Sequence, residues 1–409
     1  MPSTTAALPR ILVFSENCIS TTHGTGAIFL RNFSQYPPER LCNAFIGTGQ
    51  DPGIRASIDL NGVRWPATPG ERVAALPARL WNLLARRRPR ALPPGRHGIA
   101  RALQAVPFKP DLLYAICYGA EGFAVLEAVL AALPSNLPVL LHVHDFWPST
   151  SANLQPLLKR LGPRLTAVWA VSRPIARHLT VVTGHPCLVD PGFHVTLPAL
   201  HKTAHRAAGP DFQAVLLGNI WNPALLPDLK AAWRWCQTRR PDLPPIRWHC
   251  HPDGIAKLRA AGLEPGPELQ PMEFLRGDAL WRMLAAADLA LIPFTRQPEP
   301  SDDYERYSMP SRVTELAAAG LPIFALTGAQ TSLAEYLDEK GIGRHAPAAR
   351  TETVGPALLA LIEDREQREA LGRRARAVAE TEFSLAEFQQ SLHTRLAELA
   401  FGPRAAASA

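Results

Sequence analysis

The chain has 409 residues, 47% of them apolar and 19% charged, which is typical of a globular protein large enough for two domains. The formal net charge of +7 suggests nucleic-acid binding, but the cations are concentrated locally, and no zinc-finger, RNP or helix-turn-helix signature is present. We therefore predict no nucleic-acid partner. The most apolar windows, at 122–141 and 279–294, are interrupted by polar and charged residues, so neither should span a bilayer.

Two further features bear on localisation. The first ten residues lack the apolar core of a signal peptide. The six cysteines are scattered without a C-x-x-C pair, which favours reduced thiols. We therefore expect a cytoplasmic protein, either free or peripheral on the inner leaflet.

In chain order, the first half alternates apolar segments of strand length with segments of helical pattern. It opens with a predicted strand at 11–15 and a polar loop containing Gly24 and Gly26, and a helix is predicted from about Ile28. Further strands are predicted at 42–47, 111–116, 138–144 and 165–171, and a helix at 122–133. This alternation predicts βα units, and hence a parallel sheet covered by helices on both faces.

An arginine-rich stretch at 72–90 lies within this half. It combines an apolar stripe that includes Leu80, Trp81 and Leu84 with arginines at its margin and end. One interpretation is a surface that docks on an anionic leaflet. The other is a helix whose stripe packs on its own sheet and whose cations are solvated. The sequence leaves the two interpretations level.

Helical and strand periodicity lapse between Pro191 and Asp211, and then a second series of elements begins. Strands are predicted at 213–218, 246–251, 288–294 and 321–326, and two amphipathic helices at about 353–382 and 385–400. We predict a first domain at 1–195, a linker at 196–211, a second domain at 212–384, and a C-terminal helix and tail at 385–409, which in one arrangement packs back on the first domain. Two doubly wound domains that face each other bind ligands in the cleft at the carboxyl ends of their sheets.

The stretch "SMPSRVTELAAAGLPIFA" at 308–325 predicts a short helix followed by a buried strand. Pro310 suits the first turn, where its missing N–H costs nothing, and Gly320 suits the C-terminal stop. The first N–H groups of such a helix are unpaired and attract anions. Glu315 lies about one and a half turns into this helix.

The run "LAAADLALIPF…YSMPSRVTELAAAGLPIFAL" resembles the C-terminal half of retaining GT-B glycosyltransferases, particularly family four. The order of the elements, their spacing and the flanking strands match that family's pattern over about 50 residues. The matched stretch includes the motif P-S-[KR]-x-x-E-x-x-A-x-G-x-P. The resemblance implies two Rossmann-like domains and transfer of a sugar, with retention, from a nucleoside diphosphate to a hydroxyl acceptor. It implies a glycan or lipid-linked acceptor, a place in bacterial surface-glycan assembly, and no metal or other cofactor.

The resemblance also implies roles for individual residues. Glu315 would hold the ribose diol, and Arg312 would neutralise the leaving phosphate as a catalytic residue. Departures from the family are Tyr307 where a glutamate often contacts the sugar, and a loop after the 213–218 strand without the usual arginine and lysine. The donor-binding residues that we predict are Gly26, Gly218, Asn219, Tyr307, Ser308, Pro310, Ser311 and Glu315. The alternative without a ligand-binding role makes Glu315 a solvated helix residue paired with Arg312.

Two histidine-containing segments follow predicted strands. "HVHDFWPST" at 142–150 resembles the family's His-Asp segment, which implies that the catalytic residues His144 and Asp145 line the sugar site. Strand alternation places His142 and His144 on one face, so a metal site and simple packing are the alternatives. In "WHCHPDG" we interpret His249 and His251 as ordinary strand-end residues.

Two rival functions remain open. A nucleotide-sugar epimerase on the same fold would need a pair of carboxylates at the reacting carbon, and no clear pair is visible in the sequence. A degenerate GT-B protein would bind a nucleotide or glycan without turnover. The missing glutamate and the missing arginine and lysine favour that second rival.

Overall fold

The computed structural model describes residues 8–20, 24–47, 53–54, 56–60, 96–145, 151–190, 192–220, 222–295, 306–347 and 351–402. The arginine-rich stretch at 72–90 and the loop at 298–305 lie outside these residues. The chain divides into two compact units, one of Met1–Val171, Ile175–Gly192 and Gln389–Ala409, the other of Ser172–Pro174 and Phe193–Phe388. No helix in the described ranges is long and apolar enough to cross a membrane.

The first unit is built on a seven-stranded parallel sheet with the order β3-β2-β1-β4-β5-β6-β7. Its central strands have no exposed residue, as expected where helices cover both faces of a sheet. The strands are β1 Ile11–Ser15, β2 Leu41–Phe45, β3 Ala56–Asp59, β4 Leu112–Ile116, β5 Val139–Val143, β6 Ala167–Ala170 and β7 Cys187–Val189. The helices are α1 Gly24–Asn32, α2 Arg96–Leu103, α3 Ala120–Ala132, α4 Ser151–Leu161 and α5 Arg173–Thr183.

The second unit is built on a six-stranded parallel sheet with the order β10-β9-β8-β11-β12-β13. Its strands are β8 Ala214–Leu217, β9 Ile246–His249, β10 Leu269–Met272, β11 Leu289–Pro293, β12 Ile323–Leu326 and β13 Gly343–Ala346. Its helices are α6 Leu225–Arg239, α7 Pro252–Ala260, α8 Gly277–Ala286, α9 Arg312–Ala318, α10 Ser332–Lys340, α11 Thr351–Glu363 and α12 Arg365–Glu382. A last helix, α13, spans Leu385–Phe401. The predicted parallel sheets with helices on both faces are confirmed.

Each face of the second sheet carries its own apolar core. One core contains Trp233 of α6 and Trp248 of β9, and the other contains Val313 and Leu316 of α9. The strand order reverses between β8 and β11, which makes the carboxyl ends of these two strands the switch point of the sheet. Helix α9 follows β11 and lies beside that point.

Two predicted boundaries are wrong. The polar loop expected around Gly24 and Gly26 is the start of α1, because the tertiary contact of Gly26 outweighs the low helix propensity of glycine. The single helix expected at 353–382 is two helices, α11 and α12. They separate at Asp364, whose side chain accepts a hydrogen bond of 2.8 Å from the Gln367 N–H and caps α12.

The segment at 196–211, predicted as a linker, packs on the second unit. The Asp288 carboxylate, which is fully buried, accepts hydrogen bonds from Lys202 Nζ at 2.8 Å and Arg206 Nε at 2.9 Å. The Lys202 N–H also donates to the Ala319 carbonyl at 2.7 Å. A buried charge is stable only when it is paired in this way. This segment has no helical or strand periodicity because it runs along the surface of the second unit without forming a helix or a strand.

Candidate active site

The strand–helix connection at the switch point brings together two of the predicted donor-binding residues, Gly218 and Glu315, and the predicted catalytic residue Arg312. Gly218 follows β8 with φ of 78°, a left-handed conformation that favours glycine. The Arg312 side chain lies over it, since a Cβ on Gly218 would come within 3.1 Å of Arg312 Nε. Arg312 Nη1 in turn contacts Glu315 Oε1 at 3.3 Å. Gly218, Arg312 and Glu315 therefore form one continuous group at this edge.

Glu315 is the member of this group with unused hydrogen-bonding capacity. Its second carboxylate oxygen, Oε2, is buried and has no hydrogen-bond partner among the described residues. The side chain is only 15% exposed, so the alternative interpretation of Glu315 as a solvated helix residue is wrong. The pairing with Arg312 that this alternative assumed is present. A buried, unsatisfied carboxylate oxygen is costly unless a ligand fills it.

The start of α9 differs slightly from the prediction. The helix begins at Arg312, and Pro310 and Ser311 form the tight turn before it, in which Val313 N–H donates to the Pro310 carbonyl at 3.1 Å. Gly320 ends it with φ of 71°, as its sequence position indicated. Ser308 is buried, and its carbonyl accepts a hydrogen bond from the Ser332 hydroxyl.

The end of β9 adds His249, which we interpreted from the sequence as an ordinary strand-end residue. Its Nδ1 lies 2.8 Å from the Glu273 carbonyl, whereas its buried Nε2 has no partner within the described part of the chain. The Gly218 N–H donates to the His249 carbonyl at 2.8 Å, which joins His249 to the Gly218 group. The signal that could have found it is its position, the last residue of a strand beside the switch point.

The carboxyl edge of the first sheet has a different character, because its polar side chains bind one another. His142 Nδ1 lies 2.6 Å from the Tyr114 hydroxyl and 3.3 Å from His144 Nε2. The two histidines therefore share one face of β5, as alternation predicted. Burial lowers the pKa of His144 to about 4, so this imidazole is neutral near pH 7.

The same edge carries a carboxylate that the sequence did not single out. Glu16 follows β1, and its Oε1 accepts hydrogen bonds from the N–H groups of Tyr118 at 2.7 Å and Gly119 at 2.6 Å. These are the residues that precede α3, so Glu16 neutralises the positive end of that helix. Burial raises the pKa of Tyr118, and the charges of Glu16 and Asp145 raise it further.

Two glycines near this edge, Gly26 and Gly192, occupy positions where the backbone is constrained. Gly26 is buried in α1, and a Cβ there would lie 2.5 Å from the Ser20 carbonyl oxygen. Gly192 follows β7 with φ of 69°, and its N–H donates to Asp190 Oδ1 at 2.9 Å. Burial raises the pKa of Asp190 to about 6.

The sequence matches no family model and no curated protein. Solved structures, by contrast, are similar over nearly the whole chain. HepE of Anabaena in complex with UDP covers 95% of this chain and 100% of its own, with 15% identity and a TM-score of 0.64. Sucrose-phosphate synthase of Thermosynechococcus elongatus covers 95% and 99%, with 14% identity and a TM-score of 0.61. A glycosyltransferase of Rickettsia africae covers 96% and 99%, with 11% identity and a TM-score of 0.59.

The chain has the GT-B fold. Both sheets, of seven and six parallel strands, belong to it, and the predicted fold class is confirmed. The resemblance to family four and the retention of configuration that it implies stay predictions, because similarity at this level of identity shows the fold alone.

The remaining predicted site residues occupy varied positions on this GT-B chain. Asn219 is exposed, and its side chain lies against Gly254 of α7, where a Cβ would come within 2.2 Å of Asn219 Oδ1. Tyr307 is half-buried next to Ser308. Lys230, the nearest cation after β8 in the sequence, donates to the Glu264 carbonyl at 3.0 Å. The roles of these residues, and those of Gly26, His144 and Asp145, stay predictions.

Proposed function

We propose that this protein is a glycosyltransferase that moves a sugar from a nucleoside diphosphate, UDP being the first candidate, to a hydroxyl acceptor. The GT-B fold supports the proposal, and the similar Anabaena HepE has been solved with UDP, with UDP-glucose and with UDP and glucose. We place the nucleotide on the second unit, at the switch point of its sheet.

The observation that carries this proposal is the buried, unpartnered Oε2 of Glu315. A ribose offers two adjacent hydroxyl donors, and a carboxylate can accept both. Arg312 holds Oε1 at 3.3 Å, which orients the carboxylate and leaves Oε2 for the ligand. This arrangement gives Glu315 the chemistry that a ribose requires.

The same group would hold the diphosphate. The Arg312 guanidinium is 37% exposed and beside Gly218, where the absence of a Cβ permits close approach of a ligand. The positive end of the α9 dipole lies at the Pro310–Ser311 turn and adds partial positive charge. Arg312 therefore carries much of the neutralisation that an arginine and lysine after β8 provide in family four.

For the chemical step we propose retention, on the resemblance of residues 284–326 to family four. The departing diphosphate would take the proton of the acceptor hydroxyl as the bond to the sugar forms, and the enzyme would position both partners. His144 and Asp145 are the residues we propose to contact the transferred sugar. A neutral His144 can donate to or accept from a sugar hydroxyl without a competing charge.

The acceptor and the cellular setting are also proposals. We propose a glycan or lipid-linked acceptor in bacterial surface-glycan assembly, at the inner leaflet. If residues 72–90 contact that leaflet, vesicle binding should increase with anionic lipid and decrease with salt. Sedimentation with neutral and anionic vesicles measures this. Equal binding of wild type to both would contradict it.

A second candidate function is nucleotide binding without turnover. Two observations favour it, namely Tyr307 in place of a glutamate and the engagement of Lys230 with Glu264. Hydrolysis of UDP-glucose in the absence of acceptor separates the two functions. Release of glucose by wild type supports an enzyme, whereas UDP binding with no hydrolysis and no transfer supports a binder.

The proposed nucleotide site is tested by replacing Glu315 with glutamine, which keeps the side-chain shape and removes the charge. Since hydrogen bonds to a charged acceptor contribute about 1.5–3 kcal/mol, Glu315→Gln should weaken UDP binding about 10- to 100-fold. Isothermal titration calorimetry measures the affinity, and circular dichroism checks the fold. Glu366→Gln, an exposed change on α12, is the matched control. Unchanged UDP affinity in a folded Glu315→Gln variant would refute the assignment.

A further inference from the structure

The buried imidazole of His249 has two ring nitrogens in different situations. Nδ1 lies 2.8 Å from the Glu273 carbonyl, and a carbonyl can only accept, so Nδ1 carries the proton. A neutral imidazole with a protonated Nδ1 has a lone pair on Nε2. Burial lowers the pKa of His249 and keeps the ring neutral. Nε2 is therefore an acceptor of fixed orientation.

This acceptor is unused by the described residues. The Nε2 atom is buried and has no hydrogen-bond partner there, and the residue as a whole is only 6% exposed. Leaving a buried acceptor unsatisfied costs about 1–3 kcal/mol. Trp248, its neighbour in β9, satisfies its own indole N–H by donating to the Gly218 carbonyl at 2.8 Å. The unfilled nitrogen next to a satisfied residue indicates a ligand contact.

The position of His249 in the sheet places it on the side of the proposed ribose anchor. Trp248 belongs to the core on the α6 face, and side chains alternate along a strand, so His249 lies on the opposite face. Its register partner Leu217 packs against the core that contains Val313 and Leu316 of α9. His249 and Glu315 therefore occupy the same face at the same carboxyl edge of the sheet.

A chain of contacts joins the two residues. Glu315 contacts Arg312, Arg312 lies over Gly218, and the Gly218 N–H donates to the His249 carbonyl. In our proposal the ribose lies on Glu315, the diphosphate near Arg312 and the transferred sugar at His144 and Asp145. The base is the one part of the donor that has no assigned contact, and we assign it to Nε2.

We propose that His249 reads the base of the donor nucleotide, with Nε2 accepting a hydrogen bond from a ring N–H. Uracil carries such a donor at N3, where cytosine has a lone pair that would face the lone pair of Nε2. His249 is thus a specificity-determining residue that favours UDP over CDP. This inference rests on the proposed function, and it adds to it the residue that selects the base.

Two variants separate base reading from a structural role. His249→Asn keeps an amide N–H near the position of Nδ1 for the Glu273 carbonyl and removes the acceptor at Nε2. His249→Gln places an amide oxygen near Nε2 and loses the bond to Glu273. We expect His249→Asn to keep its melting temperature and lose base preference, and His249→Gln to melt earlier and keep that preference.

The measurement is the ratio of dissociation constants for CDP and UDP, by calorimetry on the full chain. Wild type should prefer UDP by about tenfold or more, since a neutral hydrogen bond contributes about three- to tenfold and the opposed lone pairs add to it. In His249→Asn the ratio should fall to about two. A wild-type ratio near one, or an unchanged ratio in His249→Asn, would overturn the inference.

The outcomes also distinguish this inference from the proposed function. If wild type binds UDP and Glu315→Gln weakens that binding, the nucleotide site stands whatever His249→Asn does. If wild type binds neither UDP nor CDP, the proposed function fails and the base-reading role fails with it.

Discussion

The carboxyl edges of the two sheets use polar side chains in opposite ways. In the first unit, Glu16 caps α3 through two backbone N–H groups, and His142 contacts both Tyr114 and His144. In the second unit, Glu315 and His249 each keep one buried acceptor atom that no described residue fills. The first edge is largely completed by its own residues, and the second is the one that we propose to bind a ligand.

This difference between the two edges indicates which of them is expected to bind the part of the donor that does not vary. A nucleoside diphosphate is the constant part of a glycosyl donor, so a site for it can be preorganised in detail, including unsatisfied acceptors that only the ligand fills. An edge whose polar groups satisfy one another contributes to stability first. Changes at Gly26 and Asp190 in the first unit should therefore act mainly on folding, and changes at Glu315 and Gly218 in the second mainly on nucleotide binding.

The largest expected effect on folding is at Gly26. In Gly26→Ala the new Cβ would lie 2.5 Å from the Ser20 carbonyl oxygen and 2.6 Å from its nitrogen, and backbone atoms cannot move aside as a side chain can. We expect a loss of about 3 kcal/mol in the free energy of unfolding. Urea denaturation measures it. A variant as stable as wild type but unable to bind UDP would reverse the comparison and make Gly26 a donor-binding residue.

The pH dependence of stability gives a second test, at Asp190. Burial raises the pKa of Asp190 to about 6 from 3.8, so its contribution to stability is complete below pH 3.8 and is lost as the pH rises through 6. The ionised group therefore destabilises the fold at pH 8 by at most about 3 kcal/mol. Asp190→Asn keeps an acceptor for the Gly192 N–H and removes that cost.

We therefore expect Asp190→Asn to be more stable than wild type at pH 8 and close to it at pH 4. Urea denaturation of both proteins at the two pH values measures the difference. Asp211→Asn, at an exposed carboxylate, serves as the control. A variant that is destabilised equally at both pH values would show that the charge of Asp190 is needed.

The sequence predicted those parts of this architecture that local chemistry determines. Gly320 is predicted as a helix stop because only a residue without Cβ adopts its φ of 71° easily. Glu315 is predicted as a ribose-binding residue because of its place in the P-S-[KR]-x-x-E motif. The contact of His249 with Glu273 and that of Glu16 with the start of α3 could not be predicted, because the partners lie 24 and 103 positions away in the sequence.

Gly218 sharpens the comparison from the side of the second unit. Gly218→Ala would place a Cβ at 3.1 Å from Arg312 Nε, the end of a flexible side chain, at a φ of 78° that alanine rarely adopts. We expect Arg312 to shift away from the diphosphate and UDP affinity to fall about tenfold, with a stability loss of about 1 kcal/mol. Calorimetry and urea denaturation together decide it. A larger effect on stability than on UDP binding would show that Gly218, like Gly26, acts mainly on folding.

The smallest expected effect is that of a chelator. Arg312 and the positive end of the α9 dipole supply the positive charge for the diphosphate in our proposal, and no carboxylate or histidine is assigned to a metal. On the first edge, His142 Nδ1 already contacts the Tyr114 hydroxyl at 2.6 Å. Transfer from UDP-glucose should therefore continue at an unchanged rate in EDTA. Activity that disappears with chelator and returns with manganese would assign His142, His144 and Asp145 to a metal, and the first edge would then be the one arranged around a ligand.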